Sequence, residues 1–84
     1  MYKVYYTTSA SKGWKTVHPV LIPALRETIE NLAHNPRPHQ SQKLTTYANA
    51  YRLRKGDYRV LYTVNDATQT LVIYKISHRK ESYR

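Results

Sequence analysis

The sequence predicts an α+β fold: a small single domain with an N-terminal strand, a two-helix hairpin and then a three-stranded antiparallel meander. Three observations carry this. Residues 2–7, Tyr-Lys-Val-Tyr-Tyr-Thr, are dense in β-formers. Leu21, Leu25, Ile29 and Leu32 recur at spacings of four, four and three, the period of one helix face. From residue 47 onward, segments of alternating character are divided by Lys55-Gly56-Asp57 and by Asn65-Asp66-Ala67-Thr68, both turn-forming.

The elements follow in order. Residues 9–16 read as a short helix with Ser9 or Ser11 near its cap, weakened by Gly13. Residues 19–34 are the clearest helix, with Arg26, Glu27, Glu30 and Asn31 opposite the apolar stripe. Pro19 suits a first helical position, and Pro23 either marks the true start or kinks the first turn. The prolines of Asn35-Pro-Arg-Pro-His39 end the helix, and residues 36–46 read as a loop. Three strands are then expected over residues 47–54, 58–64 and 69–77, with a polar, basic tail at 78–84. No repeat or linker divides the chain, so residues 1–84 are expected to form one domain.

Composition narrows the function. There is no cysteine, which excludes disulfides and thiolate metal sites. His18, His34 and His39 lack metal-ligand spacing, so no metal or cofactor is expected. No apolar run approaches the ~20 residues that span a bilayer. The N-terminus lacks the apolar core and cleavage site of a signal peptide. A cytoplasmic protein without membrane contact is the expectation. Fourteen Lys and Arg against five Asp and Glu give a formal net charge of +9, which favours a polyanionic partner. Eight of these bases fall in residues 51–84, several inside expected strands rather than in a loose tail. Nine tyrosines and no phenylalanine suit a sheet with one wet face, because tyrosine packs its ring and keeps its hydroxyl hydrated.

Strand alternation then places the charges. Successive side chains point to opposite faces. Arg52 and Arg54 share one face, and a turn at residues 55–57 brings Arg54 close to Arg59. Tyr58, Val60, Tyr62 and Val64 form the apolar stripe that should meet the helices, leaving the arginines on the open face. Three arginines gathered there repel one another, which selection for stability alone would avoid.

The run Tyr51-Arg-Leu-Arg-Lys-Gly-Asp-Tyr-Arg-Val-Leu-Tyr62 resembles the central signature of RelE/ParE-superfamily toxins. The ending His78-Arg79-Lys-Glu-Ser-Tyr83 resembles that family's closing motif, a His-Arg followed four residues later by Tyr. The order of the upstream elements agrees, including Leu44 before the second expected strand. The resemblance implies a RelE-like domain and a toxin of a type II toxin–antitoxin system. It further implies an endoribonuclease that enters the ribosomal A site, cuts mRNA there and inhibits translation. The implied partners are the ribosome, its mRNA and a cognate antitoxin, RelB-like or other. An acidic, amphipathic antitoxin would suit the basic surface. Operator DNA would be met only through the antitoxin complex.

The family's functional positions map to Arg52, Arg54, Arg59, Arg79 and Tyr83, with His78 matching the histidine before the late arginine. Lys55 and Lys80 are further candidates for contact with RNA. Attack of a 2′-hydroxyl on the adjacent phosphate, leaving a 2′,3′-cyclic phosphate, needs a base, charge stabilisation and help for the leaving 5′-oxygen. Guanidinium forks suit the second task, and Arg59 and Arg79 are the choices for it. Tyr83 is the candidate base or a stacking platform. Arginine hardly gives up a proton, so proton donation falls to Lys55, His78 or ribosomal RNA, with His78 the strongest local candidate. The alternative is a ParE-like DNA gyrase inhibitor without nuclease activity, which needs no such constellation. A general nucleic-acid-binding module would bind RNA without codon-specific cuts.

Overall fold

A computed structural model of the protein describes residues 1–78. Strand β1 (Lys3–Tyr6) leads into helix α1 (Thr8–Gly13), which tightens into a 3-10 turn at Trp14–Thr16. A second 3-10 turn, Pro19–Leu21, precedes helix α2 (Ile22–Asn31). Four strands complete the described chain: β2 (Ser41–Lys43), β3 (Ala50–Lys55), β4 (Tyr58–Asn65) and β5 (Thr70–His78). They form one five-stranded sheet in the order β1-β5-β4-β3-β2, with β1 parallel to β5 and the other pairs antiparallel.

The α+β architecture and the three-strand meander agree with the sequence reading, and three details differ from it. The segment read as a loop contains β2, an edge strand of three residues paired to β3. So short a strand leaves no periodicity to read. The cap of α1 is Thr7, not Ser9 or Ser11: its Oγ1 accepts the Ala10 N–H at 3.1 Å. The long second helix is divided, and Leu21 falls in the 3-10 turn, where it stays 45% exposed. Pro23 sits in the first turn of α2, where no intrahelical donor is needed.

The core lies between the helices and one sheet face. Leu25, Ile29 and Leu32 meet Leu53 of β3, Val60 and Tyr62 of β4, and Leu71 and Ile73 of β5, all buried. Every second residue of β4 from Tyr58 to Val64 is buried, as the alternation predicts. Tyr62 is wholly buried yet satisfied, donating its hydroxyl to the Pro36 carbonyl at 2.8 Å. Tyr58 ties both 3-10 turns to the sheet. Its hydroxyl accepts the His18 N–H at 3.1 Å and donates to the Thr16 carbonyl at 3.4 Å. Trp14 joins the first helical segment to the second, with the Arg26 guanidinium 5.4 Å from its ring centre.

One irregularity matters for the site. The β4–β5 register shifts between Leu61 and Tyr62: Tyr62 pairs with Ile73 and Leu61 with Lys75, so Tyr74 is an extra residue. This β-bulge reverses the facing of everything after it. Leu71 and Ile73 face the core, then Ile76 does, three positions on.

Candidate functional site

The helices cover one face of the sheet and leave the other to β2–β5. Residues there stand in cross-strand rows. Arg54 of β3 lies directly opposite Arg59 of β4, which lies opposite Ser77 of β5. The next row is Gln42, Arg52, Leu61 and Lys75. The two-residue turn Gly56-Asp57 fixes this register, with Gly56 at φ +59°, the left-handed region open to glycine. The three arginines therefore share the open face, as alternation predicts. Arg54 is exposed, while Arg52 and Arg59 are half-buried.

Between the rows lies a shallow groove of about 230 Å³, lined by Arg52, Arg59, Lys75, Ser77, Leu44 and Leu61. Arg52 donates from Nη2 to the Gln42 Oε1, which ties its guanidinium to the β2 edge of the row. The groove thus offers two forked donors, an ammonium and a hydroxyl around an apolar floor. This is a set that matches a phosphodiester, with the apolar part against sugar or base.

Beside the groove the loop after β2 folds over the open face. The Leu44 N–H donates to the Ala50 carbonyl at 2.8 Å, and the Val64 N–H donates to the Asn49 carbonyl at 3.0 Å. Asn49 takes φ 59° there, a conformation asparagine tolerates better than most residues. The loop covers Ala50 completely and sets Tyr47 edge-on to Tyr74, ring centres 6.2 Å apart, with Tyr47 itself 60% exposed.

Two residues expected at the site lie elsewhere. His78 follows the bulge and pairs with Tyr58, so it stands on the helix side, its ring edge-on to Tyr58 with centres 5.1 Å apart. Lys55 pairs with the same tyrosine. Both line a second, mostly apolar groove of about 410 Å³ with His18, Leu21, Leu25 and Asp57. They are separated from the arginine groove by the sheet itself. Conversely, Lys75 and Ser77 were not anticipated on the open face. The signal was present in the apolar spacing Leu71, Ile73, Ile76, which changes from two to three. Arg79, Lys80 and Tyr83 lie outside the described residues. No cluster of His, Cys, Asp or Glu that could hold a metal occurs among the described residues. No helix among them is long and apolar enough to cross a membrane.

A further polar cluster braces the domain. Arg37 donates to both Asp66 carboxylate oxygens, at 3.2 and 2.8 Å, and from Nε to the Tyr51 hydroxyl at 2.8 Å. Asp66 also accepts the Tyr2 hydroxyl. These bonds, from Arg37 first, hold the Asp66 carboxyl below its ordinary range. The same carboxylate raises the Tyr2 phenol. The cluster joins the start of β1, strand β3 and the β4–β5 turn to the loop after α2.

Comparison with known proteins gives one answer. Residues 4–83 match the model of the ParE toxin family, described as the ParE toxin of the parDE type II toxin–antitoxin system. The toxin RelG of Mycobacterium tuberculosis is 30% identical over 84 residues, covering 99% of this chain and 97% of that protein. The toxin–antitoxin complex RelBE2 of M. tuberculosis contains a chain 30% identical to this one, with a TM-score of 0.80 over 93% of this chain and 98% of the other. The archaeal RelE–RelB complex of Pyrococcus horikoshii gives 28% identity and a TM-score of 0.81, over 93% and 94% of the two chains. The isolated RelE toxin of Escherichia coli, 21% identical, shares the fold with a TM-score of 0.78 over 99% of this chain and 92% of its own. With the family match spanning nearly the whole sequence, the chain belongs to the RelE/ParE superfamily of toxins of type II toxin–antitoxin systems.

Proposed function

We propose that this toxin is a ribosome-dependent mRNA endoribonuclease that cuts in the A site, leaves a 2′,3′-cyclic phosphate and so inhibits translation. The observation that carries this reading is the cross-strand apposition of Arg54 and Arg59, with Arg52 in the next row, on the uncovered sheet face. Arginines gathered on one face make a cationic surface that suits an anion. A phosphodiester is such an anion, and the guanidinium forks match its oxygens.

In this reading Arg59 and Arg52 hold the scissile phosphate and neutralise the charge that grows on it in the transition state. Arg54, more exposed, takes a neighbouring phosphate. Arg79 adds to the charge stabilisation, Lys80 contacts the RNA backbone, and Tyr83 takes the 2′-hydroxyl proton or stacks on a base. His78 and Lys55 open to the helix side and make no contact with the scissile group.

A cognate antitoxin is the expected partner, because the relatives from M. tuberculosis and P. horikoshii are complexes of toxin with antitoxin. An acidic, amphipathic segment would neutralise the net charge of +9 and cover exposed apolar surface such as Val20 and Leu21. Contact with operator DNA would come through that complex, and the site of action is the cytoplasm, where ribosomes are.

A second reading has a specific observation behind it: the matching family model is described as a ParE toxin. A gyrase inhibitor needs no phosphate-sized cationic groove, so the arginine rows favour the nuclease. Induction of the wild-type chain and of an Arg52→Ala/Arg59→Ala variant in bacteria, with mapping of new mRNA 5′ ends, separates them. Cuts confined to translated codons, lost in a folded variant, support the nuclease. Growth arrest without new ends, but with DNA damage signals, overturns it in favour of gyrase inhibition.

A further inference from the structure

The groove contains one group whose chemistry the arginines cannot supply. Cleavage forms a bond from the 2′-oxygen to phosphorus and breaks the bond from phosphorus to the 5′-oxygen. The 2′-hydroxyl proton leaves to a base, and the departing 5′-alkoxide needs a proton. Guanidinium holds its protons too firmly to give one. Among the described residues that line this groove, Lys75 alone carries an ammonium.

Its position is built, not incidental. The bulge at Tyr74 turns Lys75 onto the open face, where simple alternation from Leu71 and Ile73 would have turned it toward the core. It stands in the row of Arg52, separated by Leu61, and one row from Arg59. Strands lie ~4.8 Å apart, so the Arg52 and Lys75 backbones are roughly two strand spacings apart, with Leu61 between them. Both side chains line one groove with Arg59, so a phosphate bound there by a guanidinium shares the cavity with the ammonium. Bulges recur beside active sites because they re-aim a side chain in this way. The exposed Lys75 is also among the groove side chains most free to follow a moving leaving group.

Resting on the nuclease reading, we propose that Lys75 is a catalytic residue, the general acid that protonates the departing 5′-oxygen. Lys75 begins as the ammonium and ends as the amine, which water reprotonates. The 2′-oxygen gains the bond to phosphorus that the 5′-oxygen loses.

The test uses the full chain with ribosomes carrying a short mRNA, in which the 5′-oxygen at the cleaved position is ordinary or replaced by sulfur. A thiolate leaves without a proton, so general-acid catalysis is needed only for the oxygen substrate. The variants are Lys75→Ala and Lys75→Arg, the second keeping the charge and the reach. Loss of a general acid slows cleavage about 10²–10⁴-fold. Both variants are expected to lose at least about a hundredfold on the oxygen substrate and to cut the sulfur substrate within about threefold of wild type. Equal loss on both substrates, with Lys75→Arg restoring activity, would make Lys75 a charge contact and overturn the proposal. So would full activity of Lys75→Ala on the oxygen substrate. Absence of cleavage by the wild-type chain would overturn the nuclease reading itself, a result no Lys75 variant can mimic. Circular dichroism of each variant checks that the fold is intact.

Discussion

A side-chain carbon on Gly13 would stand 2.4 Å from the carbonyl oxygen of Ile76. Gly13 has ordinary helical angles, φ −61° and ψ −26°, so its backbone gives no reason for glycine. Helix propensity alone would favour alanine there by about 0.5–1 kcal/mol. The contact is with backbone, however, and β5 lies between β4 and β1, so it cannot retreat. Overpacking costs about 1–3 kcal/mol and wins. Gly13→Ala is expected to lower the melting temperature by several degrees, at about 4–8 °C per kcal/mol for a domain of this size. A thermal melt that stays level or rises would show that α1 can shift off the sheet.

The Tyr58 hydroxyl is a second structural test. It accepts from His18 and donates to Thr16, and its removal leaves the His18 N–H without that acceptor. Tyr58→Phe keeps the ring in the core and loses about 1 kcal/mol, the net value of such a bond. Urea denaturation should show a lower midpoint at unchanged slope. The groove beside Tyr58 should also loosen, seen as faster amide exchange over residues 17–21.

Most of the fold could be read because its signals are local. The glycine turn fixed the β3–β4 register, and with it the opposition of Arg54 and Arg59. The facing of β5 was harder, because one extra residue at Tyr74 reverses every later side chain. Counting by twos sends His78 to the open face and Lys75 inward, and both assignments fail for that single reason. Only the spacing from Ile73 to Ile76 betrays the bulge. The Arg37–Asp66 pair joins residues 29 positions apart on separate loops, and no periodicity links them.

That pair gives a pH prediction. The Asp66 carboxyl is held below its ordinary 3.8, chiefly by Arg37 and then by Tyr2. A carboxyl with a depressed folded-state pKa contributes stability above its unfolded value, and loses that contribution as pH falls through the folded value. The difference in melting temperature between wild type and Asp66→Asn should thus be present at neutral pH. It should vanish in acid below the carboxylate range. The pair is solvent-exposed, so added salt should shrink it. A difference that persists unchanged at low pH would assign the effect to the shape of the turn rather than to the charge.

The two opposed arginines predict a trade between stability and function. Arg54 and Arg59 are direct cross-strand partners, and Arg54 is the more exposed. Like charges directly opposite destabilise a strand pair, so Arg54→Gln should make the isolated toxin slightly more stable. The gain should fade with added salt, since screening removes the repulsion that the substitution relieves. Affinity for single-stranded RNA should move the other way. Losing one phosphate contact flattens the dependence of log affinity on log salt by about 0.7. Melting curves and RNA titrations over the same salt series measure both effects on one variant. A stabilised protein with weaker, less salt-sensitive RNA binding is the expected pairing. A destabilised variant would mean that repulsion between Arg54 and Arg59 does not limit the sheet, and unchanged RNA binding would mean that Arg54 makes no phosphate contact.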